Sequence, residues 1–157
     1  MISETAGSRE LPRHRPPSLL LIRLSSILAV LLMIGHTSAY PWASVHSPQE
    51  AQLIGSMNSI KFEFMGESST YWNLYFGWGI LVSVLLLSLA GILWFMADMV
   101  RLSPRRVGII TGITAVTCLI GSYLALQFFF LPPTIMFFVI FLMLATSTVQ
   151  LLRFKTL

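Results

Sequence analysis

The chain has 157 residues, 55% of them hydrophobic and 10% charged, with a formal net charge of +4. Ordinary soluble domains carry about 25% charged residues, so a mean hydropathy of +0.79 leaves too few polar groups to cover a soluble domain of this length. The lone Cys118 excludes an intramolecular disulfide, and the basic balance comes without a nucleic-acid-binding motif or interleaved aromatics, so nucleic acid is not an expected partner.

Residues 1–17 are polar, basic and punctuated by Pro12, Pro16 and Pro17, and read as a disordered cytoplasmic tail. Four apolar runs follow, over roughly 18–37, 71–97, 107–131 and 133–152. Each reaches the ~20 residues that cross ~30 Å of hydrocarbon. Ser18, after the proline pair, is the expected cap of the first. That first run also has the parts of a cleaved signal peptide: a basic lead, an apolar core over Leu24–Gly35 and a small-residue site at Thr37-Ser38-Ala39. A retained span is preferred, because Arg23 can snorkel to the interface and the apolar run then extends from Leu19.

Residues 38–70 form the one long loop. Ser47-Pro48-Gln49-Glu50 places a capping serine, a first-turn proline and a glutamate three residues after the cap, which predicts a helix start. Leu53, Met57, Ile60 and Phe64 then recur at helical spacing, which predicts an amphipathic helix over Ser47–Phe64, ended by Gly66 and Ser68-Ser69-Thr70. In the second run, Asp98 and Arg101 stand three apart and read as an interfacial ion pair. Ser103-Pro104 opens the third, and Pro132-Pro133 reads as a tight turn between the third and fourth. Gly79-xxx-Ser83, Gly108-xxx-Gly112 and Thr117-xxx-Gly121 are small-residue pairs that let helices approach closely in lipid. Internal packing is their expected use and homo-oligomerisation the alternative. Cys118 reads as a small packing residue.

Arg9, Arg13, Arg15, Arg23, Arg101, Arg105, Arg106, Arg153 and Lys155 fall on one side of this layout, and Lys61 alone falls on the other. The positive-inside rule then puts both termini, including the tail 153–157, in the cytoplasm. The expected fold is therefore all-α: a polytopic membrane four-helix bundle over 18–152, N-in and C-in, with one outer amphipathic helix.

Almost all polar and aromatic groups that could act chemically belong to the outer half. Gly35-His36-Thr37 and Tyr40-Pro41-Trp42 close the first span, and Tyr71-Trp72-Asn73-Leu74-Tyr75-Phe76-Gly77-Trp78-Gly79 opens the second. If those spans pack together, His36 lies near Asn73 or Tyr75 and the loop helix roofs the space. That is the anatomy of a small-molecule site. The candidate ligand-binding residues are His36, Tyr40, Trp42, Glu63, Tyr71, Asn73, Tyr75 and Trp78. His36 is the candidate acid/base, as an ionisable group at a span end; the competing reading is an interfacial histidine bonded to backbone. His36, His46 and a loop carboxylate match no standard metal-ligand spacing, so no metal is assigned, and no motif names a cofactor.

The outer segment Phe62–Gly66, together with Gly35-His36-Thr37 and Tyr71–Gly79, resembles small four-span bacterial inner-membrane proteins of the DoxX-like kind. The resemblance implies a membrane four-helix bundle and no settled activity. The sequence thus points to an integral inner-membrane protein whose partners are the lipid bilayer and a hydrophobic small molecule or membrane partner held in an outer pocket. The second reading is a small membrane enzyme acting on a quinone, isoprenoid or lipid through His36. Transport is the third, with few deep polar groups beyond Thr111, Thr114, Thr117 and Gln127 to serve it.

Overall fold

A computed structural model describes residues 17–39 and 44–153; the basic tail, Tyr40, Trp42 and the last four residues lie outside these. The elements in chain order are α1 (Pro17–Ala39), α2 (Pro48–Ser59), β1 (Lys61–Phe64), β2 (Glu67–Thr70), α3 (Tyr71–Met99), α4 (Pro104–Phe128) and α5 (Leu131–Arg153). The four helices α1, α3, α4 and α5 are each long and apolar enough to cross a membrane.

Local signals explain most of the boundaries. Ser47 caps α2: its hydroxyl accepts from the Glu50 N–H at 3.1 Å, and the Glu50 carboxylate accepts from the His46 N–H at 2.7 Å. Thr70 caps α3 in the same way, accepting from the Asn73 N–H at 3.2 Å. Pro104 takes the first turn of α4, although the Ser103 side chain makes no capping bond. Two expected boundaries move. Pro132 and Pro133 are not the turn between α4 and α5; they sit in the first turn of α5, where backbone N–H groups have no intrahelical acceptor and proline costs little. Ser18 is not a cap either. Pro17 already stands in α1, and Ser18 is buried, its carbonyl accepting from the Ser147 hydroxyl at 3.3 Å.

The long loop departs further from expectation. The helix stops at Ser59, and after Ile60 the ten residues Lys61–Thr70 form an antiparallel hairpin that pairs Lys61 with Thr70, Phe62 with Ser69, Glu63 with Ser68 and Phe64 with Glu67. Ile60 and Phe64 therefore leave the predicted helical face. Two features overrode the helical spacing. Phe62-Glu63-Phe64 alternates with a period of two, and Met65-Gly66 turns the chain with φ of 54° and 86°, the left-handed pair of a two-residue hairpin turn. No residue of α2 is fully buried; it rests on α3 and β2.

The long helices pack in the order α3–α1–α5–α4, with α3 and α4 in only slight contact despite the short Val100–Ser103 connection. Their buried positions alternate at spacings of four and three: Leu86, Ala90, Leu93 and Ala97 in α3, continued by its C-cap Val100, and Ile140, Leu144, Ser147 and Leu151 in α5. This is the seam of left-handed helix packing. In α4 the stripe opens on Val107 and is otherwise small, running Gly108, Thr111, Ala115, Cys118, Ser122 and Ala125. Into it fit the larger side chains of α5. A Cβ on Gly108 would lie 3.0 Å from Leu151 Cβ, and one on Gly121 would lie 3.3 Å from the Phe137 ring. The hydroxyls of Thr111 and Thr148 meet across the same seam at 3.0 Å. Small residues thus serve internal packing, which in lipid must rely on close contact rather than on hydrophobic exclusion.

At the basic end, Asp98 pairs with Arg23 of α1 at 2.5 Å, not with Arg101, three residues further on in the turn after α3. The Arg23 guanidinium also lies 4.9 Å from the centroid of the Trp94 ring. One side chain of α1 thereby ties down the last two turns of α3.

Gly108→Leu is expected to cost about 1–3 kcal/mol through overpacking of the α4–α5 seam. Gly91→Ala is the control, because a Cβ there meets nothing within 4 Å. Thermal unfolding in mild detergent distinguishes them. Equal midpoints for the two variants would show that the seam is not closely packed.

Candidate functional site

His36 lies in the last turn of α1, and its Nε2 is 3.0 Å from the Gly79 carbonyl of α3. A carbonyl only accepts, so Nε2 carries the hydrogen in this bond. The next residue continues the same polar seam. Thr37 donates to the Ser83 hydroxyl at 2.9 Å, and Ser83 donates to the Gly79 carbonyl at 3.3 Å. These groups satisfy one another where α1 and α3 approach closely, on the small pair Gly79 and Ser83.

The groove in this region is elsewhere. It holds about 440 Å³ between the hairpin and α3. The hairpin supplies Phe62, Phe64, Glu67 and Ser69; α3 supplies Asn73, Leu74, Gly77, Trp78 and Leu81. On a helix, residues two apart point about 200° away from each other. Gly77 on the groove and Gly79 on the α1 seam therefore occupy opposite faces of α3. His36 and the groove stand back to back.

The register of the hairpin decides which acid reaches the groove. Phe62 pairs with Ser69 and Phe64 with Glu67 on one face, while Glu63 pairs with Ser68 on the other. Glu67 lines the groove and Glu63 does not. Of the other candidates, Asn73 and Trp78 line it, whereas Tyr71 and Tyr75 flank it. The Tyr71 ring lies 5.2 Å from that of Phe62 and helps seat the hairpin; the Tyr75 ring lies 5.8 Å from that of Trp72. Tyr40 and Trp42 fall outside the described residues. No residue of α2 lines the groove, so the hairpin walls it, while α2 rests on α3 outside it. The residues that sequence reasoning missed here are Leu74, Gly77 and Leu81 on α3 and the inward-facing strand residues. The usable signal was the two-residue alternation around Phe62 and Phe64, followed by a glycine turn.

Chemically the groove offers one carboxylate, one hydroxyl and one amide among aromatic and aliphatic walls. Such a lining orients an amphipathic molecule by a few hydrogen bonds while apolar contact holds the rest. At Gly77 an added Cβ would meet nothing within 4 Å, so the floor there is open space. Among the described residues no group of three or more His, Cys, Asp or Glu side chains comes together in a way that could hold a metal ion.

Four long apolar helices define the class: this is a multi-pass membrane protein. Within that class no family model matches the chain, and neither a curated protein nor a solved structure is detectably similar to it.

The Thr37–Ser83 bond is open to a double-mutant cycle. Thr37→Val and Ser83→Ala, alone and combined, are expected to give a coupling of about 0.6 kcal/mol, typical of hydroxyl pairs between membrane helices. Strict additivity would mean that the two hydroxyls do not meet.

Proposed function

We propose that the protein is a non-catalytic lipid-binding component of the bacterial inner membrane, DoxX-like in layout. Its basic end and both termini face the cytoplasm, and an amphipathic lipid or similar hydrophobic small molecule lies in the hairpin–α3 groove. The orientation rests on the positive-inside rule: Arg23, Arg101, Arg105, Arg106 and Arg153 gather at one end, opposite Lys61. The binding reading rests on one observation above the others. The groove is open at Gly77, where a helix residue without a side chain leaves space between aromatic walls. Its volume falls within the ~300–1,000 Å³ usual for small-molecule sites.

This reading assigns no catalysis to His36. Its Nε2 donates to a backbone carbonyl on the face of α3 turned away from the groove, which supports the interfacial, structural role over acid/base chemistry on a quinone or isoprenoid. Transport has less to support it. Thr111 bonds Thr148 within a closed seam, and Thr114 and Thr117 bond carbonyls of their own helix.

Gly77→Leu fills the groove and leaves the α1 seam untouched. Exchanging glycine for leucine in a helix also raises intrinsic helix stability by about 0.8 kcal/mol. The variant is expected to unfold at or above the wild-type temperature. In native mass spectrometry of gently extracted protein, it should lose the bound lipid that the wild type retains. Equal retention by the two proteins, or none by either, would sink the proposal.

A further inference from the structure

The turn of the hairpin is costly in two ways at once. Met65 holds a φ of 54°, in the left-handed region where a residue with a Cβ is strained and where Asn, Asp or Gly would serve the turn. Its side chain is also 89% exposed, the most exposed of the large hydrophobics among the described residues, and Phe64 beside it is 69% exposed. A strained, apolar turn calls for something that covers it.

The position of the turn says what that is. Thr70, at the base of β2, caps the first turn of α3, while Phe64 and Glu67, which flank the tip, line a groove with Trp78 and Leu81. Trp78 and Leu81 lie 8 and 11 residues beyond Thr70, or ~12–16 Å along a helix at ~1.5 Å per residue. The four residues of β2 span a similar ~13 Å at ~3.3 Å per residue. The hairpin therefore folds back beside α3 with its tip level with these two residues. The charged pair of Arg23 and Asp98 marks the opposite edge of the apolar layer. From Asp98, the 20 residues back to Trp78 cover ~30 Å, the thickness of the hydrocarbon. At these lengths the tip meets α3 at the depth where headgroups give way to acyl chains, on the face of α3 opposite the α1 seam.

We infer that the hairpin tip is a membrane anchor: Phe64 and Met65 insert into the leaflet on the hairpin side, at the boundary of headgroups and acyl chains. The occupant of this surface is lipid. The inference goes beyond the groove ligand and holds whether or not that groove is filled. Both strands are edges, with backbone groups unpaired on their outer sides, so the ladder must stay hydrated and only the side chains of the tip can enter; insertion is therefore shallow. Lys61 and Glu63 lie nearer the base or on the outward face of the hairpin, and Glu67, opposite Phe64, stays at headgroup level on the groove side.

The test places an environment-sensitive nitrobenzoxadiazole probe at Met65→Cys, with Glu63→Cys as the comparison, in vesicles of phosphatidylethanolamine and phosphatidylglycerol. Cys118 is buried in the α4–α5 seam, and labelled wild type is the blank. Position 65 is expected to show blue-shifted emission, strong quenching by lipids spin-labelled high on the acyl chain, and weak quenching by iodide. Position 63 should show the reverse order of quenching. Iodide quenching at 65 equal to that at 63 overturns the inference. So does shielding at 65 that disappears on dilution of protein into excess lipid, because that would be contact between copies. Met65→Asn separates strain from anchoring. Asparagine suits the left-handed turn, so thermal unfolding in detergent is expected at the wild-type temperature or above, while a probe at Phe64→Cys becomes accessible to iodide. A Phe64 probe equally shielded in that variant would also overturn the inference.

Discussion

The close approach of α1 to α3 governs the rest of the structure. Lipid chains are as apolar as leucine, so helices in a membrane gain nothing by hiding apolar surface from one another; they gain by contact and by interhelical hydrogen bonds. Here the Ser26 hydroxyl donates to the Ala90 carbonyl at 2.7 Å, a bond that two bulky seams would hold apart. His36 on Gly79, Thr37 on Ser83 and Arg23 on Asp98 extend the same contact toward both ends of α3. With α5 on its other side, α1 is the most buried of the four long helices.

That contact gives α3 two distinct faces. One carries Gly79, Ser83, Leu86, Ala90, Leu93 and Ala97 at spacings of four and three, and is spent on packing. The other carries Leu74, Gly77, Trp78 and Leu81, and stays open beneath the hairpin. Two glycines two residues apart do opposite things. Gly79 lies on the side where helix backbones approach, and Gly77 leaves a hollow where nothing approaches. The ionisable His36, the obvious candidate for chemistry, is drawn into the packing face and donates to a carbonyl. The polar groups with room for a ligand are the modest ones, Glu67, Ser69 and Asn73.

The α4–α5 pair solves the same packing problem differently. One helix contributes a stripe of small residues and the other fills it, so that Cys118, Thr111 and the glycines act by being small. Glycine at 108 matters for the Leu151 Cβ facing it, not for backbone freedom.

The four spans, the capped start of α2 at Ser47 and the gathering of arginines at one end were all legible in the sequence. They depend on local composition, on the reach of a side chain to a neighbouring N–H, and on the length needed to cross an apolar layer. The pattern Leu53, Met57, Ile60, Phe64 misled, because four apolar residues can match a helical period by coincidence. The β alternation that competed with it is only three residues long, and its partner strand, Glu67-Ser68-Ser69-Thr70, is polar and carries no strand signature. Tertiary structure alone decided that Asp98 takes Arg23 rather than Arg101, that Glu67 and not Glu63 reaches the groove, and that His36 faces the seam. Each of these is a choice between partners that local sequence leaves equivalent. It is settled only when helix register and hairpin pairing set which side chains share a face.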